Sequence, residues 1–396
     1  MDRSIEEERI AACLAERTGT RSEDWYLTFR ARHAMLLAFR AIRAQMGEGS
    51  VVTQLLTCCT AVDPIIAAGL EPRYAEVSRC AASICPEKLS LATADRAVVL
   101  QHTYGLIDDV DSRNLVRIAH DAGIPVVEDC AHGVGRMARG ADGAPCADIS
   151  IHSFGVAKML DTQFGGAVWV NPDSPFSQVV ADLRARLVDL PVAGAHLTSL
   201  TRTFIFWNRV FNHLPLPVSR WLRRTLSAVG LFEPAVSDDE RRGAVSHEPL
   251  RPSAEVCRRV IDALAALDDE ERAHREAVEA YREAFADMPG VETFSSAMEG
   301  PVQPLLKFPI LVADTALADR VISEVCAAGY YTEAWYRPYL GPGVLDEGVY
   351  RVSRDKAVVS TCMRIVDTLA TLPCNVGAEG ARAVAEVVRG LVSANG

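Results

Sequence analysis

Ala97-Val-Val-Leu-Gln101, running into His102-Thr-Tyr-Gly105, and Ile124-Pro-Val-Val127, running into Glu128-Asp129-Cys130-Ala131-His132, decide the fold. Each is a short apolar run of strand length that ends in a polar turn. Asp111 to Ala122, between them, reads as a helix closed by Gly123. Strand, turn, helix and strand in that order make the βαβ unit of a parallel sheet. Ligands in such sheets collect at the carboxyl ends of the strands, where His102 and the run from Glu128 to His132 both fall.

The pattern extends outward on both sides. His33 to Arg43 reads as an amphipathic helix, Val51-Val52 opens a strand, and Asp63 to Ala68 reads as a short helix closed by Gly69. A strand is predicted around Arg73 to Val77 and another over Gly166 to Val170. The texture then changes. Thr201 to Phe232 mixes aromatics with arginines and prolines and reads as an insertion. Ser253 to Ala286 is a long charged helical pattern, in one piece or two. Beyond it a strand over Leu305 to Val312, a helix over Ala316 to Ala328 stopped by Gly329, and a closing helix near Ala378 to Ala394 predict a smaller α+β domain. The predicted division is 1–175 for a large α/β domain, 176–250 for the insertion and linker, and 251–396 for a connecting helix and the small domain.

The 396 residues suffice for a large core, and the formal charge of −11 argues against nucleic acid or an anionic membrane bound through the whole surface. The acidic N-terminus, Met1-Asp-Arg-Ser-Ile-Glu-Glu-Glu-Arg, has no apolar segment, which predicts no signal peptide, and no apolar run reaches membrane-spanning length. Eleven scattered cysteines, with no second pair to match Cys58-Cys59 at metal-ligand spacing, predict reduced thiols in a cytoplasmic protein and no metal site.

Chemistry enters at Lys158, one of four lysines. Lys88 follows Pro86 and Glu87 in a polar turn, Lys307 lies in an alternating strand-like run, and Lys356 sits in the charged stretch Ser353 to Lys356. Lys158 lies instead among apolar and small residues, Ile151-His-Ser-Phe-Gly-Val-Ala-Lys158-Met-Leu-Asp-Thr-Gln-Phe-Gly165-Gly166. Lost hydration disfavours the ammonium and frees a nucleophilic lone pair for Schiff-base chemistry. A lysine that holds pyridoxal phosphate needs a carboxylate for the pyridine nitrogen, for which Asp129 is placed at a strand end. It also needs hydroxyls and amides for the phosphate, with Ser153 a candidate, and a ring partner, with His132 three residues beyond Asp129. His102, in the neighbouring strand-end turn, is a further candidate for cofactor contact. Each has a plainer reading: a capping aspartate, a hydrogen-bonded structural histidine, a turn serine.

Taken in order, Glu128-Asp129-Cys130-Ala131-His132-Gly133, Ser153-Phe-x-x-x-Lys158 and Gly165-Gly166-Ala-Val resemble the DegT/StrS family of pyridoxal-phosphate sugar aminotransferases. Asp63-Pro-Ile-Ile-Ala-Ala-Gly-Leu-Glu-Pro, Gln101-His-Thr-Tyr-Gly and Thr371-Leu-Pro373 extend the resemblance, which is strongest from Val51 to Val170. It implies a fold type I architecture, α/β, with a mostly parallel seven-stranded sheet in a large domain and a smaller α+β C-terminal domain. It further implies that Lys158 is the Schiff-base lysine, Asp129 the pyridinium partner, His132 a contact to the ring hydroxyl and Ser153 a phosphate ligand. Three segments depart from the family. Its phosphate-holding turn is here Phe29-Arg-Ala31-Arg32-His33, so Ala31 stands for glycine and Arg32 is expected to supply charge. Its ring-stacking aromatic is replaced near Thr57-Cys58-Cys59, and its Asn-x-Arg segment has no match around Glu248 to Ser253.

The function so implied is amino transfer, with glutamate as donor, onto a keto sugar, in a homodimer with shared sites. The alternatives are a pyridoxal-phosphate enzyme of another reaction type, a cyclitol aminotransferase of antibiotic assembly, or a catalytically silent regulatory or scaffold protein of the same fold. For Thr201 to Phe232 three roles are open: lying on an anionic membrane, covering a nucleotide-diphosphate substrate, or packing in a dimer interface. The last is favoured because Pro215 and Pro217 break a long amphipathic face.

Overall fold

Alternate residues of the central strands are buried on opposite faces, so the sheet must be covered on both sides. A computed structural model describes residues 3–352 and 356–394, with the backbone alone for Lys356 and Ala357. The first two residues of the acidic N-terminus, Ser353 to Asp355 of the charged stretch, and the side chain of Lys356 lie outside the described residues. The first half of the chain forms α1 (Ile5–Thr18), β1 (Trp25–Thr28), α2 (Ala31–Met46), β2 (Ser50–Thr53), α3 (Cys59–Ala67), β3 (Glu71–Tyr74), β4 (Asp95–Gln101), α4 (Asp109–Asp121), β5 (Val126–Asp129), β6 (Ile149–Ser153) and β7 (Gly166–Val170). Helices α5 (Ser177–Val188), α6 (Ala195–Asn212), α7 (Leu216–Ala228) and α8 (Ala254–Phe285) follow. The chain closes with β8 (Glu292–Thr293), α9 (Ser295–Met298), β9 (Lys307–Leu311), α10 (Thr315–Ala327), α11 (Lys356–Thr368), β10 (Leu369–Pro373) and α12 (Gly377–Ser393).

The large sheet has seven strands in the order β1-β7-β6-β5-β4-β2-β3. The five strands from β6 to β3 are parallel, and β7 runs antiparallel to both β6 and β1. Val99 of β4 and Val168 of β7 face one core with α2 and α5, while Val98 and Leu100 face α4 on the other side. Trp25, Ala167 and Trp169 close that second side against α1 and α8. The expected α/β fold with a mostly parallel seven-stranded sheet is therefore present, as is a smaller antiparallel sheet, β10-β9-β8.

Several boundaries differ from the sequence reading. Strand β5 begins two residues later than Ile124, because Ile124 donates its amide to Ala119 at the end of α4 and Pro125 has no amide to give. Helix α3 starts at Cys59 rather than Asp63. Asp63 is fully buried and accepts from the Tyr350 hydroxyl at 2.5 Å, so it is a core residue of the helix. Strand β3 is Glu71–Tyr74, two residues earlier than expected, ending with the parallel pairing of Thr53 and Tyr74. The charged pattern from Ser253 is one 32-residue helix; Arg17 of α1 pairs with Asp268 and Glu271 at its acidic middle. The region around Thr201 to Phe232 forms the hairpin α6–α7, and the prolines fall at its turn, not within an extended face.

Candidate active site

Strands β2, β4, β5 and β6 point their carboxyl ends the same way, and the turns leaving them line a cavity of about 470 Å3. The N-terminus of α2 and the loop from Glu333 to Pro342 complete it. Lys158, Asp129, His132, Ser153, His102, Cys58, Ala31 and Arg32 all line this one cavity. Residues spread over 128 positions of sequence meet there because parallel strands deliver all their outgoing turns to one edge.

Asp129 is the last residue of β5 and is buried. Its Oδ1 accepts from the Ala131 amide at 2.9 Å, and no donor among the described residues reaches Oδ2. Burial pushes its carboxyl up, against the Ala131 amide and the charge of Lys158. Lys158 sits in the turn between β6 and β7, where the Ala157 amide donates to Asp161 Oδ2 at 2.9 Å. Asp161 thus caps the turn and makes no ion pair with Lys158. The Lys158 amine has no hydrogen bond or ion pair among the described residues and lies 5.3 Å from the ring centroid of Trp335. Burial brings its pKa below the ordinary lysine value, while Cys58 and Asp129 pull the other way.

His132 is buried with both ring nitrogens engaged. Nδ1 accepts from the Tyr104 amide at 2.8 Å, which places the proton on Nε2, 3.1 Å from the Tyr336 hydroxyl. Burial drives its pKa well down, so the ring is neutral. Its Nε2–H donates to the Tyr336 oxygen, and the phenolic proton, held by burial, has no acceptor among the described residues. His102 is turned toward the sheet. Its Nε2 lies 2.7 Å from Glu128 Oε1, and Glu128 also accepts from the Ala138 amide at 2.6 Å and from Ser150. Among the described residues His102, Glu128 and Cys130 are close enough to share a metal ion, but these bonds already occupy the Glu128 carboxylate.

One end of the cavity is built from the first turn of α2. The amides of Ala31 and Arg32 belong to its first turn and cannot be used within the helix. Gly166 brings β7 against this turn: a Cβ there would lie 2.6 Å from the Ala31 nitrogen. Ser153 ends β6 on the same cavity, and its Oγ accepts from the Gly155 amide at 3.3 Å. The Arg32 guanidinium forms an ion pair with buried Glu240 and donates to the Ala235 carbonyl at 2.9 Å. Arg32 therefore reaches the cavity with its charge already matched. Cys58 caps α3 and contacts Thr60 Oγ1 at 3.0 Å; hydrogen bonds from Cys59 and Thr60, with the nearby Lys158, hold its thiol pKa down.

The sequence reading did not find Arg30, Trp335 or Tyr336. Arg30 is buried, pairs with Glu233 at 2.8 Å and lies 5.0 Å from the Phe164 ring centroid. Trp335 and Tyr336 come from the small domain. Their loop is fastened to the large domain by hydrogen bonds from Leu340 to Leu55 at 3.1 Å, Gly341 to Thr57 at 2.9 Å, and Cys59 to Gly341 at 3.0 Å. Alternating apolar residues could mark strands, but no local pattern marks a loop that docks on a site nearly 200 residues earlier.

With this geometry in place, comparison with known proteins finds similarity in the first half of the chain. Residues 28–185 match the model of the DegT/DnrJ/EryC1/StrS aminotransferase family. The matched span runs from the last residue of β1 into α5 and contains the Asp129, Ser153 and Lys158 motifs that carry the resemblance. The L-glutamine:2-deoxy-scyllo-inosose aminotransferase of Streptomyces lividus is 27% identical over 178 residues, 44% of this chain and 38% of that protein. The UDP-N-acetyl-3-dehydro-alpha-D-glucosamine 3-aminotransferase of Acidithiobacillus ferrooxidans is 26% identical over 153 residues, 38% of this chain and 41% of that protein. The matched stretches thus span about two fifths of those relatives. The aminotransferase TlmJ from Streptoalloteichus hindustanus superimposes with a TM-score of 0.69 at 19% identity, over 99% of this chain and 92% of that one. NtdA from Bacillus subtilis, solved with bound cofactor PMP, gives 0.68 at 14% identity over 99% and 78%. These two likenesses establish the shared fold.

Proposed function

We propose that this chain is a pyridoxal 5'-phosphate-dependent aminotransferase that moves an amino group from an amino-acid donor, glutamate first, to a keto sugar, nucleotide-linked, in aminosugar biosynthesis. One observation carries the reading. A half-buried, unpaired lysine amine and a buried carboxylate with a free oxygen share a cavity with the open N-terminus of a helix. That donor set fits a group with a carbonyl at one position, a basic ring nitrogen at another and a phosphate at its end.

In this reading Lys158 and Asp129 are the catalytic residues. Ala31 and Arg32 amides and the Ser153 hydroxyl hold the phosphate, and Asp129 keeps a proton on the ring nitrogen. His132, with Tyr336 behind it, orients a polar ring edge, Trp335 covers the Lys158 side, and His102 and Cys58 complete the wall. Bound pyridoxal phosphate supplies an electron sink and a carbonyl that can carry an amino group. The Lys158 amine, its pKa lowered by burial, would take a proton from the donor's α-carbon and return it to the carbon of the cofactor that carried the carbonyl. In the second half it moves the proton back for the sugar ketone.

A second reading shares this chemistry but takes a cyclitol ketone. It is favoured by the S. lividus relative, whose name gives both a cyclitol acceptor and glutamine as donor. We further propose a homodimer with shared sites and the domain division at 175 and 250. The deciding experiment loads the protein with pyridoxal phosphate, converts it with glutamate or glutamine, and offers a panel of nucleotide-linked keto sugars and cyclitol ketones. Return of the original absorption with one acceptor class assigns the substrate. Failure to react with either donor contradicts the aminotransferase reading.

A further inference from the structure

From Leu190 to Phe232 the chain holds five arginines and no acidic residue, although the whole protein carries −11. This stretch is the hairpin α6–α7. Its inner side packs through Leu197, Leu200, Phe204 and Phe211, which are buried against the body of the protein. Its outer side is unlike an ordinary solvated surface. On α6 the positions Arg202, Ile205, Phe206 and Arg209 follow a three- and four-residue spacing and form one stripe. Phe206 is 60% exposed and Ile205 45%. On α7, Trp221 is 65% exposed and Leu216 62%, flanked by exposed Arg220 and Arg224. Ser219 is the only buried residue of α7.

The charges are only partly spent within the protein. Arg202 pairs with Glu255, Arg224 lies 3.4 Å from Asp238, and Arg223 bonds to Asn208 at 2.8 Å. The guanidinium groups of Arg209 and Arg220 make no ion pair or hydrogen bond among the described residues. Two helices joined by a short turn, the longer about 27 Å, thus present aromatic and aliphatic side chains edged by free guanidinium groups.

We propose that the α6–α7 hairpin docks this protein on an anionic phospholipid surface. Large apolar side chains entering the headgroup region, beside arginines that meet lipid phosphates, make the pattern of an interfacial amphipathic helix. No helix among the described residues is long and apolar enough to cross a membrane, so the hairpin lies on the surface. A second copy of the chain fits less well. A twofold contact through this face would set the same unbalanced arginines against each other. Pro215 and Pro217 lie in or beside the turn between the helices and leave both outer stripes intact.

The test is flotation of the full-length protein with vesicles of phosphatidylcholine alone and of phosphatidylcholine with phosphatidylglycerol. Binding is expected only with phosphatidylglycerol and is expected to weaken as salt rises. Arg209→Gln with Arg220→Gln should lower the partition coefficient on the order of 25-fold. Phe206→Ser with Trp221→Ser should also lower it, at unchanged aminotransfer activity. Two variant pairs of opposite chemistry keep the test decisive if one misfolds, which circular dichroism reports. The proposal is overturned if the wild type fails to float at low salt, or if both folded variant pairs float as well as it does. It is equally overturned if the variants only dissociate an oligomer, which would make the hairpin a self-association surface.

Discussion

The hydroxyl of Tyr336 lies 3.1 Å from Nε2 of His132, which joins the small domain to the turn that follows β5. His132 in turn accepts from the Tyr104 amide, so one buried imidazole ties together three segments around the cavity. Tyr336→Phe leaves its Nε2–H without a partner. The expected cost is about 1–3 kcal/mol of stability, measured by urea unfolding, together with a slower donor half-reaction. Unchanged stability would show that the bond contributes nothing.

Gly166 is the closest approach of the sheet to α2. A Cβ there would lie 2.6 Å from the Ala31 nitrogen and 2.7 Å from its Cα, so backbone must move. Gly166→Ala is expected to destabilise the protein by roughly 1–3 kcal/mol, the usual cost of overpacking. Because the displaced atoms include an amide assigned to the phosphate, pyridoxal phosphate should also bind more weakly. Equilibrium dialysis and thermal unfolding report the two effects separately.

Glu240 links acid stability to the first turn of α2 through Arg32. Burial pushes its carboxyl up, but Arg32 and Arg30 outweigh burial and bring it to about 2. A depressed carboxylate pKa contributes stability that is present above the ordinary value of 4.5 and is lost as pH falls toward 2. Glu240→Gln should therefore cost about 3–5 kcal/mol at pH 7, as for a broken buried pair. The gap from wild type should narrow between pH 4.5 and 2. Denaturant unfolding across that range checks it; a gap that stays constant would contradict the pairing.

Lys158 sets a second dependence on pH. Its pKa lies below the lysine value of 10.5, and the neutral amine is the form that captures a carbonyl. The rate at which apoprotein takes up pyridoxal phosphate should rise with pH and level off below the usual lysine range. Asp129 raises the lysine pKa, so in Asp129→Asn the plateau should be reached at lower pH. Stopped-flow uptake over a pH series measures both curves.

What the sequence could show follows from where each residue gets its neighbours. Asp129 and Ser153 end strands and Lys158 follows in the next turn, so short motifs carry both their identity and their place. Apolar runs also located β4 and β7 and the helices α2, α4, α10 and α12. Strand β1 and helix α1 escaped because their burial depends on distant partners, Trp169 opposite Trp25 and α8 beside α1. Arg32 was read as a charge for the expected phosphate, and its pairing with Glu240, 208 positions away, was not visible in the sequence. Trp335 and Tyr336 were hidden for the same reason, since only the tertiary fold brings their loop to the cavity.

The most direct test of the central claim is the donor half-reaction followed by the absorption of bound pyridoxal phosphate, in wild type and in Lys158→Ala. The wild type should lose its visible absorption on adding glutamate or glutamine and release one keto acid per site. Lys158→Ala should bind the cofactor yet react slower by about 10²–10⁴. A wild type that holds the cofactor but reacts with neither donor, or a Lys158→Ala variant that reacts at the wild-type rate, would contradict the account.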